Sequence, residues 1–168
     1  MQNCEYLYHI ILDVETCMNL FSTSVNAVPK GCRIIIPCSV YLRLQTVSNG
    51  RRRTQRHTAR QICKALEILG HQQSEGPKWI IDKPSKAIKK SRMLCEDFTL
   101  ADEEFNNLDQ IQFQILLRAF FTRKKYSDYE TVIVVTTNEA LKIAAQRNNI
   151  QLIESLGNFK QKFPEAFK

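Results

Sequence analysis

The sequence predicts an α/β fold: a three-layer α/β/α sandwich around a parallel sheet of about five strands. Three observations predict it. Short β-branched runs alternate with longer amphipathic stretches, the order that builds a parallel sheet with helices on both faces. The clearest run, "TVIVVTT" (131–137), carries a continuous Val/Ile stretch of the kind buried on both sides. The chain has 168 residues, 43% of them hydrophobic, which suits one domain with a single core of useful extent.

Taken in order, "YHIIL" (8–12) reads as the first strand, short and apolar, and residues 16–26 carry apolar groups at helical spacing. "CRIIIP" (32–37) is the second strand, and Pro37 suits the start of the helix in "PCSVYLRLQTV". The turn "SNGRRRT" (48–54) leads into "TQRHTARQICKALEILG", which sets Ala59, Ile62, Cys63, Leu66 and Leu69 on one stripe before Gly70 stops it. "KWII" (78–81) is a weaker third strand, headed by Trp79, whose expected place is the core. Residues 83–101 form a long charged loop. In "LDQIQFQILLRAFFTRKK", Ile111, Ile115, Leu116 and Ala119 fall in helical register, with bases in the last turn that match the helix dipole. After the 131–137 strand, Asn138 caps "NEALKIAAQR", and "IQLI" (150–153) is the fifth strand. Residues 154–168 make a C-terminal helix or tail whose Phe159, Phe163 and Phe167 recur every four residues. The expected organisation is a single domain over 1–168.

The net charge is +7, and its distribution says more than its total. No acid occurs from Thr16 to Leu66, against nine bases: Lys30, Arg33, Arg43, Arg51, Arg52, Arg53, Arg56, Arg60 and Lys64. A second cluster follows at Lys83, Lys86, Lys89, Lys90 and Arg92, and then Glu96, Asp97, Asp102, Glu103, Glu104 and Asp109 occur with no base among them. This segregation suggests a basic face for RNA or another polyanion beside an acidic site. The alternative is a well-solvated surface.

No apolar run approaches the ~18–20 residues that cross a membrane, and the start lacks a signal peptide's pattern. The expectation is a soluble, intracellular protein, nuclear or cytoplasmic, with no membrane partner. The six cysteines (Cys4, Cys17, Cys32, Cys38, Cys63, Cys95) show no CxxC pair and no zinc-type spacing, which points to free thiols used as small hydrophobes.

In a parallel α/β sheet, sites form at the carboxyl ends of strands. Asp13 and Glu15 follow the first strand there, and Thr136, Thr137 and Asn138 follow the fourth. Asp109 begins the helix that leads to the fourth strand. These residues converge if the fold is right, and clustered carboxylates with hard oxygen donors suit Mg²⁺ or Mn²⁺. The competing reading of Asp13 is a helix cap, of Asp109 and Glu15 helix-start acids, and of Arg43 a residue on a solvated helix face.

"IILDVET", "IPCSVYLRLQTV", "LDQIQFQILLRA" and "IVVTTNEALKIAAQRNNIQLI" together resemble a PIN domain, the fold of many RNA endonucleases. The resemblance spans the first strand to the fifth, and the order of elements carries much of it. It implies an acid after the first strand, met by Asp13, and another met by Asp109. It also implies an acid in the helix after the second strand, where this chain has Arg43, and one after the fourth, where it has Thr137 and Asn138. A guanidinium there would take a metal's place by pairing with Asp13 and Asp109. The resulting expectation is a degenerate PIN-like domain without a cofactor, an RNA-binding or scaffolding module among protein partners in an RNA-decay or silencing complex. Arg51, Arg52, Arg53, Arg56, Arg60 and the Lys83–Arg92 bases would touch phosphates. The first alternative is an active single-strand endoribonuclease that holds Mg²⁺ or Mn²⁺ on Asp13, Asp109 and Glu15. The second is a protein-docking domain with no nucleic-acid role.

Overall fold

The computed structural model describes residues 7–23, 31–71, 79–82, 99–126 and 131–164. Five strands form one sheet: β1 (Tyr8–Leu12), β2 (Cys32–Ile36), β3 (Trp79–Ile81), β4 (Thr131–Val135) and β5 (Gln151–Ile153). All pair in parallel, in the spatial order β3-β2-β1-β4-β5. The central pair is in register from Tyr8 against Thr131 to Leu12 against Val135, so Asp13 and Thr136 leave the sheet side by side.

The helices are α1 (Val14–Thr23), α2 (Cys38–Ser48), α3 (Arg53–His71), α4 (Asp102–Asn107), α5 (Gln110–Tyr126), α6 (Glu139–Arg147) and α7 (Leu156–Lys162). Parallel strands need crossovers, and these are right-handed. The chain steps outward from β1 to β2 to β3, then returns past β1 and steps the other way to β4 and β5. The two directions put α1, α2 and α3 on one face and α4, α5 and α6 on the other. The packing agrees: α2 lies on α3 and α1 on both, while α6 lies on α4 and α5. The step direction reverses between β1 and β4, which opens a crevice at their carboxyl ends.

Strand composition explains the core. Ile10, Ile11, Leu12, Ile34, Ile35, Ile36, Ile133, Val134 and Val135 are all buried, since helices cover both faces. Leu20, Leu44, Ile62 and Leu66 close one side and Phe113 and Leu116 the other. Ala59, Ile62, Cys63 and Leu66 of the expected α3 stripe are buried; the side chain of Leu69 lies outside the described residues. Trp79 packs in the core as expected. Cys17, Cys32, Cys38 and Cys63 are free, buried thiols, while Cys4 and Cys95 lie outside the described residues.

The elements differ from the sequence reading at their ends. α1 starts at Val14 rather than residue 16, because Asp13 caps it. α4 is an additional short helix; of the expected 83–101 loop, residues 83–98 lie outside the described residues. The start of α4 is set by Glu104, which accepts a hydrogen bond from the Ala101 amide at 3.1 Å, and Phe105 anchors it. Among the described residues of the C-terminal segment, α7 is the α-helical part, and its Phe159 packs against Phe163, which ends it. Phe167 lies outside the described residues.

On the α5 side of β1, His9 is buried and stacks on the Tyr126 ring at 4.5 Å. Burial, helped by the nearby Arg33, Arg118 and Lys125 charges, pushes its pKa down to about 4.

Candidate functional site

The site begins where β1 ends. Asp13 is buried, and each of its carboxylate oxygens has a donor. The Thr16 amide donates to Oδ1 at 2.7 Å, which makes Asp13 the cap of α1. The Thr136 hydroxyl donates to Oδ2 at 2.5 Å. Thr136 is itself fully buried, and its oxygen accepts the Asn138 amide at 3.0 Å. The Thr16 hydroxyl donates to the Val135 carbonyl at 3.2 Å, so the ends of β1 and β4 are laced in both directions. Asn138 then caps α6 by accepting the Leu141 amide at 2.9 Å. Outside this core, the Thr137 hydroxyl donates to the exposed Glu15 at 3.0 Å.

Asp109 arrives from the other face. It is the residue before α5 rather than one inside its first turn. Its Oδ1 accepts the Gln112 amide at 2.7 Å while its own amide donates to Gln112 Oε1 at 2.9 Å, a reciprocal capping box. The fold therefore brings Asp13, Glu15, Arg43, Asp109 and Asn138 to the wall of one cleft of about 220 Å³. Nearly a hundred residues of sequence separate Asp13 from Asp109.

Arg43 borders the cleft but stays exposed, and among the described residues it makes no ion pair with either acid. The expected internal salt bridge is thus not formed. The reason is local: Asp13 is occupied by Thr16 and Thr136, Asp109 by Gln112, and a guanidinium left in water keeps its hydration. Among the described residues no three His, Cys, Asp or Glu side chains gather as ligands. Cys17, behind Asp13, is no nucleophile: burial first, then the Asp13 charge, pushes its thiol well up.

The cleft opens into a larger groove of about 630 Å³ that shares Val14, Glu15 and Arg43 with it and adds Arg52, Thr54 and Gln55. Arg51, Arg52 and Arg53 are exposed at the turn and start of α3, and Arg56 is half-buried one turn on. Arg60 is exposed, yet its Nε donates to the Ser48 carbonyl at 2.9 Å and so also ties α3 to the end of α2. Lys83, Lys86, Lys89, Lys90 and Arg92 lie outside the described residues.

One acid escaped the sequence reading. Asp82 ends β3 as Asp13 ends β1, is buried, and meets Arg118 of α5 at 2.8 Å. The signal was present: "WIID" repeats the pattern of "IILD", an apolar run closed by an acid.

Comparison with known proteins decides the family. The sequence profile of the PIN domain matches residues 9–155, from β1 through β5. The chain belongs to the PIN domain family. Among solved structures, the T. brucei RRP44 PIN domain superposes with a TM-score of 0.57 at 13% sequence identity, covering 95% of this chain and 84% of that one. At that identity the likeness shows the fold, a five-stranded parallel α/β architecture. No curated protein sequence matches the chain. A PIN domain supports a role connected with nucleic acid at the family level. Among the described residues, no helix is long and apolar enough to cross a membrane.

Proposed function

We propose that this PIN domain is a non-catalytic RNA-binding or scaffolding module, working with protein partners in an RNA-decay or silencing assembly of the nucleus or cytoplasm. The observation that carries the reading is the make-up of the cleft. Asp13 and Asp109 face it, but both serve as helix caps, and Arg43 borders it where the PIN resemblance calls for an acid. Thr137 and Asn138 stand where a fourth acid is expected, and they hold Glu15 and the α6 backbone instead. A cation at the edge of the cleft opposes the binding of a divalent ion there, which favours a domain that works without catalytic Mg²⁺ or Mn²⁺.

RNA binding is supported by the adjoining groove, whose lining combines Arg43 and Arg52 with the apolar Val14, Met18 and Val47. Arg51, Arg53, Arg56 and Arg60 extend the basic face along α3, with the Lys83–Arg92 segment as a further phosphate-binding element. Contacts of this kind are sequence-independent and weaken with salt.

The test pairs binding with cleavage. Labelled single-stranded RNA is titrated with the chain at several salt concentrations, then incubated with it in Mn²⁺ beside Asp109→Asn. Salt-sensitive binding without cleavage above the variant's background is the expected result. Cleavage that Asp109→Asn loses would establish an endoribonuclease that depends on Asp109, the alternative in which Asp13 and Glu15 would share the ion. Absence of binding at low salt would leave a protein-docking domain.

A further inference from the structure

The groove beside the cleft contains a residue whose setting the RNA-binding reading does not use. Thr54 lines it together with Arg43 and Arg52, is exposed, and directly follows Arg51, Arg52 and Arg53. Two arginines thus stand two and three residues before a hydroxyl, the spacing by which arginine-directed protein kinases, whose peptide clefts are acidic, select their substrates. The backbone suits such capture. Residues 49–52 lie between α2 and α3 outside any helix, and Thr54 is in the first turn of α3, where amides have no intrahelical acceptor and fray at low cost.

The neighbouring hydroxyls are less available. Thr58 donates to the Thr54 carbonyl at 3.2 Å and Thr46 to the Leu42 carbonyl at 3.0 Å, each bonding one turn back along its own helix. Thr54 lies too near the start of α3 to have a helical carbonyl one turn behind it. Thr58 is half-buried besides, and Ser48 is buried and bonded to the Gln45 carbonyl at 2.6 Å.

We propose that Thr54 is a phosphorylation site for an arginine-directed protein kinase, and that its phosphate closes the groove to RNA; the second half rests on the RNA-binding reading above. In the step, Thr54 Oγ1 attacks the γ-phosphorus of ATP and an O–P bond forms. The bridging bond to the β-phosphate breaks, ADP leaves, and the hydroxyl proton passes to the kinase's general base. The product carries about −1.5 to −2 charge and three strong acceptor oxygens. Arg52 and Arg43, on the same groove wall, are the cations it would engage, and they are the ones the RNA backbone would need. Removing about two phosphate contacts from a single-strand complex costs roughly tenfold or more in affinity at ~0.1 M salt.

The full chain is incubated with ATP and the catalytic subunit of cyclic-AMP-dependent protein kinase, and the product is mapped by tandem mass spectrometry. One phosphate on Thr54, lost in Thr54→Ala and kept in Thr58→Ala, is expected. The phosphorylated chain should bind single-stranded RNA about tenfold more weakly than the unmodified chain, and kinase treatment of Thr54→Ala should leave that variant's own affinity where it was. No incorporation, or incorporation elsewhere, overturns the site. Incorporation at Thr54 with unchanged affinity overturns the control of binding. If the unmodified chain binds no RNA while Thr54 accepts phosphate, the RNA-binding reading fails and the modification site stands.

Discussion

The carboxyl ends of β1 and β4 and the start of α3 border the same continuous cleft and groove, yet they are built in opposite ways. At the first, Asp13, Thr16 and Thr136 are buried and linked to one another and to the backbone by hydrogen bonds of 2.5–3.2 Å. At the second, Arg51, Arg52 and Arg53 stand exposed on a turn and helix start. The difference separates two uses of polar residues. A buried carboxylate must be satisfied within the protein, so its removal is felt in folding; an exposed guanidinium is satisfied by water and is free to exchange that water for a phosphate.

The largest effect that tests this contrast is Asp13→Ala. It removes the α1 cap and leaves the Thr136 hydroxyl and Thr16 amide without their acceptor, at an expected cost of about 3 kcal/mol in urea unfolding. A cost below about 1 kcal/mol would mean that the lacing of β1 to β4 is incidental.

Acid sharpens the comparison next. His9 is buried neutral with a pKa near 4, below its ordinary 6.5, so protons favour the unfolded chain. Stability is full above pH ~6.5 and falls as pH drops toward about 4, by on the order of 2–3 kcal/mol. His9→Phe, which retains a ring against Tyr126, should flatten that part of the profile. An unchanged slope would place the acid sensitivity elsewhere.

Asp109→Ala should cost about 1 kcal/mol, since Asp109 shares the cleft but is exposed and loses only a capping box. A cost in the Asp13→Ala, Asp109→Ala double variant that departs from the sum of the two single costs would show the two acids to be coupled.

The smallest effect on folding comes from replacing Arg51, Arg52 and Arg53 together with Ala. The urea midpoint should hold, while the salt dependence of RNA binding becomes shallower by roughly 2 in log–log slope, about 0.7 for each lost contact. A shifted midpoint with an unchanged slope would reverse the roles assigned to the two regions.

Much of the fold was legible because burial on both faces of a parallel sheet leaves a one-dimensional trace. Runs such as "YHIIL" and "TVIVV" are apolar throughout, and the punctuation around them (Pro37, Asn138) follows from backbone chemistry that acts over a few residues. α4 was harder, because one turn anchored by a single buried Phe105 gives no periodicity. The site was legible in part. Topology alone placed Asp13, Asp109 and Thr136–Asn138 at one edge, and an acid closing an apolar run marked Asp13. The same mark at Asp82 went unused.

By itself, then, the sequence determined the alternation of elements, the segregation of charge and the residues available at the sheet's carboxyl edge, since each depends on local propensity or on simple order along the chain. Only the tertiary structure decided how those residues are employed. Which oxygen of Asp13 meets Thr136, whether Arg43 turns toward the acids or toward water, and that Asp82 pairs with Arg118 all depend on contacts between segments 36 to 123 residues apart. Such contacts are set by close packing between distant segments, and hydrogen bonds hold only within narrow limits of distance and angle.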